Sequence, residues 1–276
     1  KVNLFEGIIM LTHQVFLSVV CVARQQSHIL EKLISELSLS LVDLATDYEI
    51  IIIDNASDDN SVEVLKKLTC LDGFPNLQIF ALTKEVENDV ASWVGIENSL
   101  GDYVVVMDPF LDDINYLPKM LETALTGVDI VLASNAKKPR QSFLYSCANS
   151  IFNALYKWIN GVNLAIDAPK YRMLSKSVIN FILQHPQPSL TYRQIPVTGG
   201  FSRVRLEYST SYEGVIKKSM WEGVDRGIRM LVSTTKAPMR LVTILSVFGA
   251  LTNLIYSAYV ISIYFIKPNL AEGWVS

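Results

Sequence analysis

Short apolar runs alternate with helix-like patterns five times in about 135 residues, and few folds accommodate such a repeat. Each run is bounded by turn-forming or polar residues, as expected of a strand that is buried on both faces of a sheet. The predicted strands are residues 16–22, 48–54, 77–81, 103–107 and 129–133. The alternation predicts an α/β fold with a mostly parallel sheet and helices on both faces.

Acidic residues follow directly after the fourth predicted strand. Asp108 comes at its end, and Asp112 and Asp113 come one turn later. Parallel sheets bind ligands outside the carboxyl ends of their strands, and carboxylates this close repel one another unless a cation joins them. The pattern therefore indicates a site for Mg²⁺ or Mn²⁺, which prefer oxygen ligands. The alternative is a strand end followed by a solvated acidic turn, and the local sequence does not decide between the two.

Asp54 ends the second predicted strand in the same way. A carboxylate at this position can accept hydrogen bonds from a ribose or a base, as acids do in dinucleotide-binding sheets. The sequence nevertheless lacks both G-x-G-x-x-G and a P-loop, which disfavours a classical dehydrogenase or a P-loop ATPase.

An uncharged stretch of 26 residues, 241–266, explains the high mean hydropathy of +0.28. As a helix it would be roughly 39 Å long, enough to cross a hydrocarbon core of about 30 Å with tilt. A buried core helix of this length is the less favoured alternative. The stretch predicts a transmembrane helix.

Residues 214–240 carry six basic and two acidic residues just before the predicted span. A basic juxtamembrane segment predicts that this side is cytoplasmic and lies on anionic lipid. Three widely spaced cysteines fit a reducing cytosol. The sequence thus predicts a protein of the cytoplasmic membrane with its sheet domain on the cytoplasmic side. Residues 141–160 form an amphipathic pattern that suits either a core-facing helix or a helix on the membrane surface.

The predicted organisation is a sheet domain over residues 15–212, an amphipathic basic helix over 213–240, the span over 241–266 and a loop over 267–276. Within the first domain, residues 194–197 and 203–208 are predicted as short strands on either side of Gly199 and Gly200.

Four segments, in this order and spacing, resemble the inverting family 2 glycosyltransferases of GT-A fold. They are residues 17–22 (LSVVCV), 49–59 (EIIIIDNASDD), 101–113 (GDYVVVMDPFLDD) and 167–177 (DAPKYRMLSKS). The resemblance is strongest to the branch that transfers sugars to polyprenyl phosphates. This branch includes dolichol-phosphate mannosyltransferases and bacterial undecaprenyl-phosphate glucosyl- or arabinosyl-type transferases. In that branch a second span follows the first, so we expect residues 267–276 to precede one.

The resemblance implies a metal-dependent hexosyltransferase that moves a sugar from a nucleotide diphosphate to a polyprenyl phosphate on the cytoplasmic face. It implies a nucleotide site at Val22, Asp54 and Asp89, and catalytic Asp108 and Asp112 that bind Mg²⁺ or Mn²⁺ together with Asp113. The acceptor phosphate is assigned to Lys138, Arg140 and Arg172. The expected partners are the donor, the lipid acceptor and the bilayer, without nucleic acid; a homo-oligomer is compatible with the resemblance.

Several positions depart from the pattern of that family. The second acid of its D-x-D motif is Phe110, and Asp112 stands where the branch usually has Gln. Residues 207–212 replace a basic segment, and the first loop, residues 23–26, lacks the usual Pro and Glu. Two alternatives therefore stay open: a membrane-anchored nucleotide-sugar-binding scaffold without turnover, and a family 2 transferase with a polysaccharide acceptor. A family 2 transferase that extends a polysaccharide usually carries a Q-x-x-R-W motif and several spans, and this sequence shows neither.

Overall fold

A computed structural model of the chain describes residues 12–70, 72–137, 167–185, 188–210 and 237–266, together with positions 150 and 154. The strands are β1 (His13–Ala23), β2 (Ala45–Asp54), β3 (Leu77–Ala81), β4 (Tyr103–Met107), β5 (Ile130–Asn135), β6 (Arg172–Ser175) and β7 (Arg203–Tyr208). The helices are α1 (Leu30–Leu44), α2 (Ser61–Leu68), α3 (Asn88–Glu97), α4 (Leu117–Leu125), α5 (Lys176–Leu183), α6 (Pro188–Thr191), α7 (Ile195–Thr198) and α8 (Ala237–Ile266). A 3-10 turn, Ile114–Tyr116, precedes α4.

The seven strands form one sheet in the order β3-β2-β1-β4-β6-β5-β7. Only β6 runs antiparallel to its neighbours β4 and β5, so the other six strands point the same way. This confirms the prediction of a mostly parallel sheet. It also places the carboxyl ends of six strands, and the start of β6, at one edge, which we call the upper edge.

Two apolar layers cover the sheet. On one face α1, α2 and α4 pack against side chains such as Val19, Ile52 and Val105. On the other face α3, α5 and α7 pack against side chains such as Val20, Ile53 and Val106. Because neighbouring residues of a strand point to opposite faces, these runs must be apolar throughout to serve both layers. This is the reason why the strands could be recognised as continuous apolar runs.

A buried polar network closes the opposite edge of the sheet. The Glu49 carboxylate is 4% exposed and accepts hydrogen bonds from the Leu100 amide at 2.7 Å, from Gln78 Nε2 at 2.7 Å and from the Ser18 hydroxyl. The amide of Gly101 in turn donates to Ser18 Oγ at 2.9 Å. These bonds tie the turn before β4 to β1 and β2, and so fix the position at which β4 enters the sheet.

Two predictions about local structure need correction. Residues 194–197, predicted as a strand, form the helical turn α7, because Pro196 has no amide hydrogen for a ladder and is well suited to the first turn of a helix. The strand β6 was not predicted. Its four residues lack an apolar run of the usual length, and pairing with β4 and β5 stabilises them as a strand.

The helix α8 belongs to a second unit, residues 225–276, while the sheet lies in the first, residues 1–224. Within α8, residues Val242–Ile266 are long and apolar enough to cross a membrane, with a mean hydropathy of 1.7. This agrees with the predicted span. Most of the predicted helices 141–160 and 213–240, and the predicted loop 267–276, lie outside the described residues.

Candidate functional site

Polar residues at the ends of β2, β4 and β7 lie at the upper edge. Parallel pairing sets Ala23 opposite Asp54 and Cys21 opposite Met107, so that Asp54 and Asp108 leave the sheet on either side of β1. Tyr208 ends β7 at the same edge. The residues that the sequence separates by more than 150 positions are thus collected where parallel sheets bind their ligands.

Asp54 is 1% exposed and has only part of its hydrogen-bonding capacity used. Its Oδ2 accepts a bond from the Ser57 amide at 3.1 Å, whereas its buried Oδ1 has no hydrogen-bond partner among the described residues. A buried carboxylate oxygen without a donor is costly, so this atom suits a ligand hydroxyl or amide. Val22, also predicted for the nucleotide, is half-buried on the neighbouring strand β1, where it pairs with Ile53, one residue before Asp54; its nucleotide role stays a prediction.

The acidic turn after β4 is held together by its own main chain. The Asp112 and Leu111 amides donate to the Asp108 carbonyl at 2.8 and 3.0 Å, and the Phe110 amide donates to Asp108 Oδ1 at 3.1 Å. In return, Asp112 Oδ2 accepts a bond from the Asp108 amide at 2.8 Å. At the position of the missing second acid, the backbone of Phe110 therefore contacts Asp108.

Asp112 lies between β4 and β7. Its Oδ1 accepts a hydrogen bond from the Tyr208 hydroxyl at 3.1 Å. Burial, with the added charge of Asp108, raises the pKa of Asp112 to about 6. Burial and the charge of Asp112 also raise the pKa of Tyr208 above its ordinary value, so its hydroxyl stays protonated and donates at neutral pH. The two carboxylates share a small volume in which their charges disfavour one another.

Asp113 faces different partners. Its Oδ1 accepts a bond from the Asn115 amide at 3.0 Å, as the cap of the 3-10 turn, and its Oδ2 accepts a bond from the Thr210 hydroxyl. Its carbonyl accepts a bond from the Tyr171 hydroxyl at 3.0 Å. Nothing in these contacts tests the metal role of Asp113, which stays a prediction.

These donors can be tested against a divalent cation. Across the described part of the chain, no group of three or more His, Cys, Asp or Glu side chains is arranged to hold a metal ion. Mg²⁺-type ions in phosphate-transferring sites are bound through one or two carboxylates and complete their shell with water and substrate phosphates. Asp108 and Asp112 fit that arrangement, whereas they do not form a closed all-protein metal site.

Asp89, near the start of α3, is paired with Arg193. Arg193 Nη1 lies 2.8 Å from Asp89 Oδ2, and Arg193 also donates through Nε and Nη2 to the Ala168 carbonyl at 3.2 and 2.5 Å. Burial alone would raise the pKa of Asp89, but the charge and hydrogen bond of Arg193 hold it below its ordinary value. Arg193 thus connects α3 to the segment before β6, and the nucleotide role of Asp89 stays a prediction.

Arg172 begins β6 with a side chain that is 1% exposed. Its guanidinium carbon lies 5.1 Å from the centre of the Tyr192 ring, and its Nη2 has no hydrogen-bond partner among the described residues. Burial lowers the pKa of Arg172 to about 10, so it remains a cation at neutral pH. A buried cation with an unused donor suits an anion, although the phosphate role of Arg172 remains a prediction. Lys138 and Arg140 lie outside the described residues.

Lys170 is an exposed cation that the sequence reasoning missed. Antiparallel pairing sets Val106 opposite Arg172. Asp108 lies two residues after Val106, just past the end of β4, and Lys170 lies two residues before Arg172, just ahead of the start of β6. The positive charge of Lys170 acts to lower the pKa of both carboxyls: it adds to the effect of Arg193 on Asp89, whose pKa lies below its ordinary value, and it opposes the effect of burial on Asp112. Only the antiparallel direction of β6, which the sequence did not reveal, brings Lys170 to this edge.

A family model described as glycosyl transferase family 2 matches residues 18–183. Among curated proteins, the bactoprenol glucosyl transferase of Shigella phage SfX is 23% identical over 233 residues, 83% of this chain and 76% of the relative. The undecaprenyl-phosphate 4-deoxy-4-formamido-L-arabinose transferase of Aeromonas hydrophila is 23% identical over 265 residues, 94% of this chain and 79% of the relative.

Solved structures share the architecture. Glucosyl-3-phosphoglycerate synthase from Mycobacterium tuberculosis, in complex with Mn²⁺, UDP-glucose and phosphoglyceric acid, superposes with a TM-score of 0.53 at 14% identity. The match covers 79% of this chain and 79% of that chain. At this identity the likeness establishes the fold alone, and it agrees with the predicted GT-A architecture.

Proposed function

The chain belongs to glycosyl transferase family 2, and from this membership and the acidic upper edge we propose that it transfers a sugar from a nucleotide diphosphate to a polyprenyl phosphate. The observation that carries the proposal is the convergence of Asp54, Asp108 and Asp112 outside the carboxyl ends of β2 and β4. The names of the phage and Aeromonas relatives support a polyprenyl phosphate acceptor.

In the proposed donor complex, Oδ1 of Asp54 accepts a hydrogen bond from the nucleoside, and Val22 on the neighbouring strand β1 also belongs to the nucleotide site. Asp108 and Asp112 would hold Mg²⁺ or Mn²⁺ in this complex, and the Mn²⁺ in the structural relative supports this choice. A bound divalent cation stabilises the negative charge that builds up on the leaving diphosphate.

The acceptor needs little activation because its phosphate is already anionic. An oxygen of this phosphate attacks the anomeric carbon as the bond to the nucleoside diphosphate breaks, which inverts that carbon and requires no general base. The protein must chiefly place two anions close together. We assign this task to Arg172 and Lys170 at the start of β6, together with Lys138 and Arg140.

α8 supports a membrane position for the reaction. We propose that Val242–Ile266 spans the cytoplasmic membrane and that the basic residues before it keep the sheet domain on the cytoplasmic side.

Donor binding is the first test. UDP- and GDP-sugars are added to the folded protein with Mn²⁺ and then with EDTA, and the unfolding temperature is measured. A ligand at 100 times its dissociation constant adds about 2.7 kcal/mol to the free energy of unfolding, so stabilisation by one nucleotide class should be clear and should vanish with EDTA. Stabilisation without transfer to any lipid or polysaccharide acceptor would favour a binding scaffold instead.

A further inference from the structure

Tyr208 carries the only described side-chain hydroxyl that bonds to the Asp112 carboxylate. It ends β7, at the far edge strand of the sheet from β3, and is 6% exposed. The hydroxyl donates to Asp112 Oδ1 over 3.1 Å. A residue 96 positions away along the chain thus contacts one of the two proposed metal-binding carboxylates.

The ring of Tyr208 is fixed by two other tyrosines. Its centre lies 5.1 Å from that of Tyr116 and 5.9 Å from that of Tyr171, the latter in an edge-to-face contact at 84°. Its carbonyl accepts a bond from the Ala136 amide at 2.8 Å, which fixes the backbone at the end of β7. The hydroxyl therefore reaches Asp112 from a position that the surrounding packing determines.

Asp112 is thereby held at both oxygens. The Asp108 amide donates to Oδ2 and the Tyr208 hydroxyl donates to Oδ1. Each carboxylate oxygen has two lone-pair directions, so one donor per oxygen fixes the plane of the carboxylate and still leaves lone pairs for a cation. The glutamine expected at this position by the family resemblance would be neutral; a carboxylate adds charge and requires a donor to orient it.

We propose that Tyr208 is a positioning residue that orients Asp112 so that it binds, together with Asp108, the divalent cation of the donor complex. This role rests on the proposed function. Partners that orient metal ligands typically change metal affinity by about 10- to 100-fold when they are removed. Tyr208 acts through Asp112 and needs no contact with the substrate.

The test is Tyr208→Phe with Tyr116→Phe as the matched control. Both changes remove one hydroxyl from the same aromatic cluster, but the Tyr116 hydroxyl donates to the Glu207 carbonyl at 3.2 Å instead of to a carboxylate. The readout is the Mn²⁺ concentration that gives half of the nucleotide-sugar-dependent thermal stabilisation of the full chain. We expect Tyr208→Phe to raise it about 10- to 100-fold and Tyr116→Phe to leave it unchanged.

A double-mutant cycle separates positioning from general damage to the fold. In an Asp112→Asn background, Tyr208→Phe should cause no further loss of Mn²⁺ affinity, because the carboxylate that it orients is gone. An unchanged Mn²⁺ titration in Tyr208→Phe, an equal shift in Tyr116→Phe, or a full effect in the Asp112→Asn background would each overturn the role. If the wild-type chain binds donor without any Mn²⁺ dependence, the metal part of the proposed function fails first, and this role fails with it.

Discussion

The Asp108 amide donates a hydrogen bond to the Asp112 carboxylate at 2.8 Å, so the two acids are locked into one turn by the backbone of the first and the side chain of the second. The bond needs a spacing of four residues and a helical return of the chain after β4. It explains how two carboxylates can lie close together at the upper edge, where Phe110 replaces the second acid of the family motif.

Replacement of Asp108 by Asn should abolish Mn²⁺-dependent donor binding, because the amide keeps the shape of the carboxylate and removes its charge. Thermal stabilisation by the donor with Mn²⁺ is the measurement. Asp102→Asn is the control: it lies at the opposite end of β4, where its Oδ2 accepts a bond from the Phe16 amide at 3.0 Å. Donor binding equal to the wild type in Asp108→Asn would contradict the metal assignment.

The substitution Asp54→Asn should weaken nucleotide binding about tenfold, because the charged acceptor Oδ1 is lost while the bond from Ser57 can be kept. This loss should be the same with Mn²⁺ and with EDTA, in contrast to the effect of Asp108→Asn. Titration calorimetry with the nucleoside diphosphate can measure both conditions. If the loss at Asp54 appeared only with Mn²⁺, Asp54 would belong to the metal site and not to the nucleoside.

The raised pKa of Asp112 predicts a pH-dependent stability. In the folded chain this pKa is about 6, against an ordinary value of 3.8, so the folded state binds the proton more tightly than the unfolded state. The free energy of unfolding should therefore fall as pH rises from about 4 to about 6, and this loss should be complete above that range. In Asp112→Asn this component is absent. Denaturant unfolding without divalent cations should be measured at several pH values. Between about pH 4 and pH 6, the free energy of unfolding of the variant should rise relative to that of the wild type. If the two free energies changed in parallel with pH, the raised pKa of Asp112 would be refuted.

Lys170→Gln should lower the affinity of the donor or of the lipid phosphate several-fold, because an exposed cation whose charge acts on Asp112 is lost from the proposed anion-binding edge. The effect should weaken with added salt, as expected for an exposed charge. Lys67→Gln, at an exposed position of α2, is a control of equal charge change. Equal affinities in both variants would remove Lys170 from the site.

Gly101→Ala should destabilise the fold by about 1–3 kcal/mol through overpacking. A Cβ at this position would lie 2.8 Å from the Phe16 carbonyl oxygen and from the Ser18 amide, both of which are backbone atoms of β1. Leu100→Ala at the adjacent position, which is 66% exposed, should cost much less. Denaturant unfolding compares the two; equal stability of Gly101→Ala and the wild type would show that β4 can shift away from β1.

Much of the parallel sheet could be predicted, because strands buried on both faces must be continuous apolar runs and their carboxyl ends must share an edge. The same argument identified Asp54 and Asp108. Three residues of the site were not predicted: Tyr208 at the end of β7, Lys170 just before β6 and Arg193 after α6. Each lies close to its partner because of the tertiary fold, and local spacing in the sequence does not reveal the contact. The four-residue strand β6 illustrates the limit: its direction depends on its neighbours, and its own sequence does not specify it.

The most direct measurement of the proposed function is an acceptor comparison with the full chain in detergent or membranes. The nucleotide sugar that stabilises the protein is supplied with Mn²⁺ and either undecaprenyl phosphate or phosphoglyceric acid, and products are identified by mass spectrometry. We predict a glycosylated polyprenyl phosphate that is absent with EDTA and in Asp108→Asn. Transfer to the soluble acceptor alone, or donor binding without a lipid product, would contradict the account.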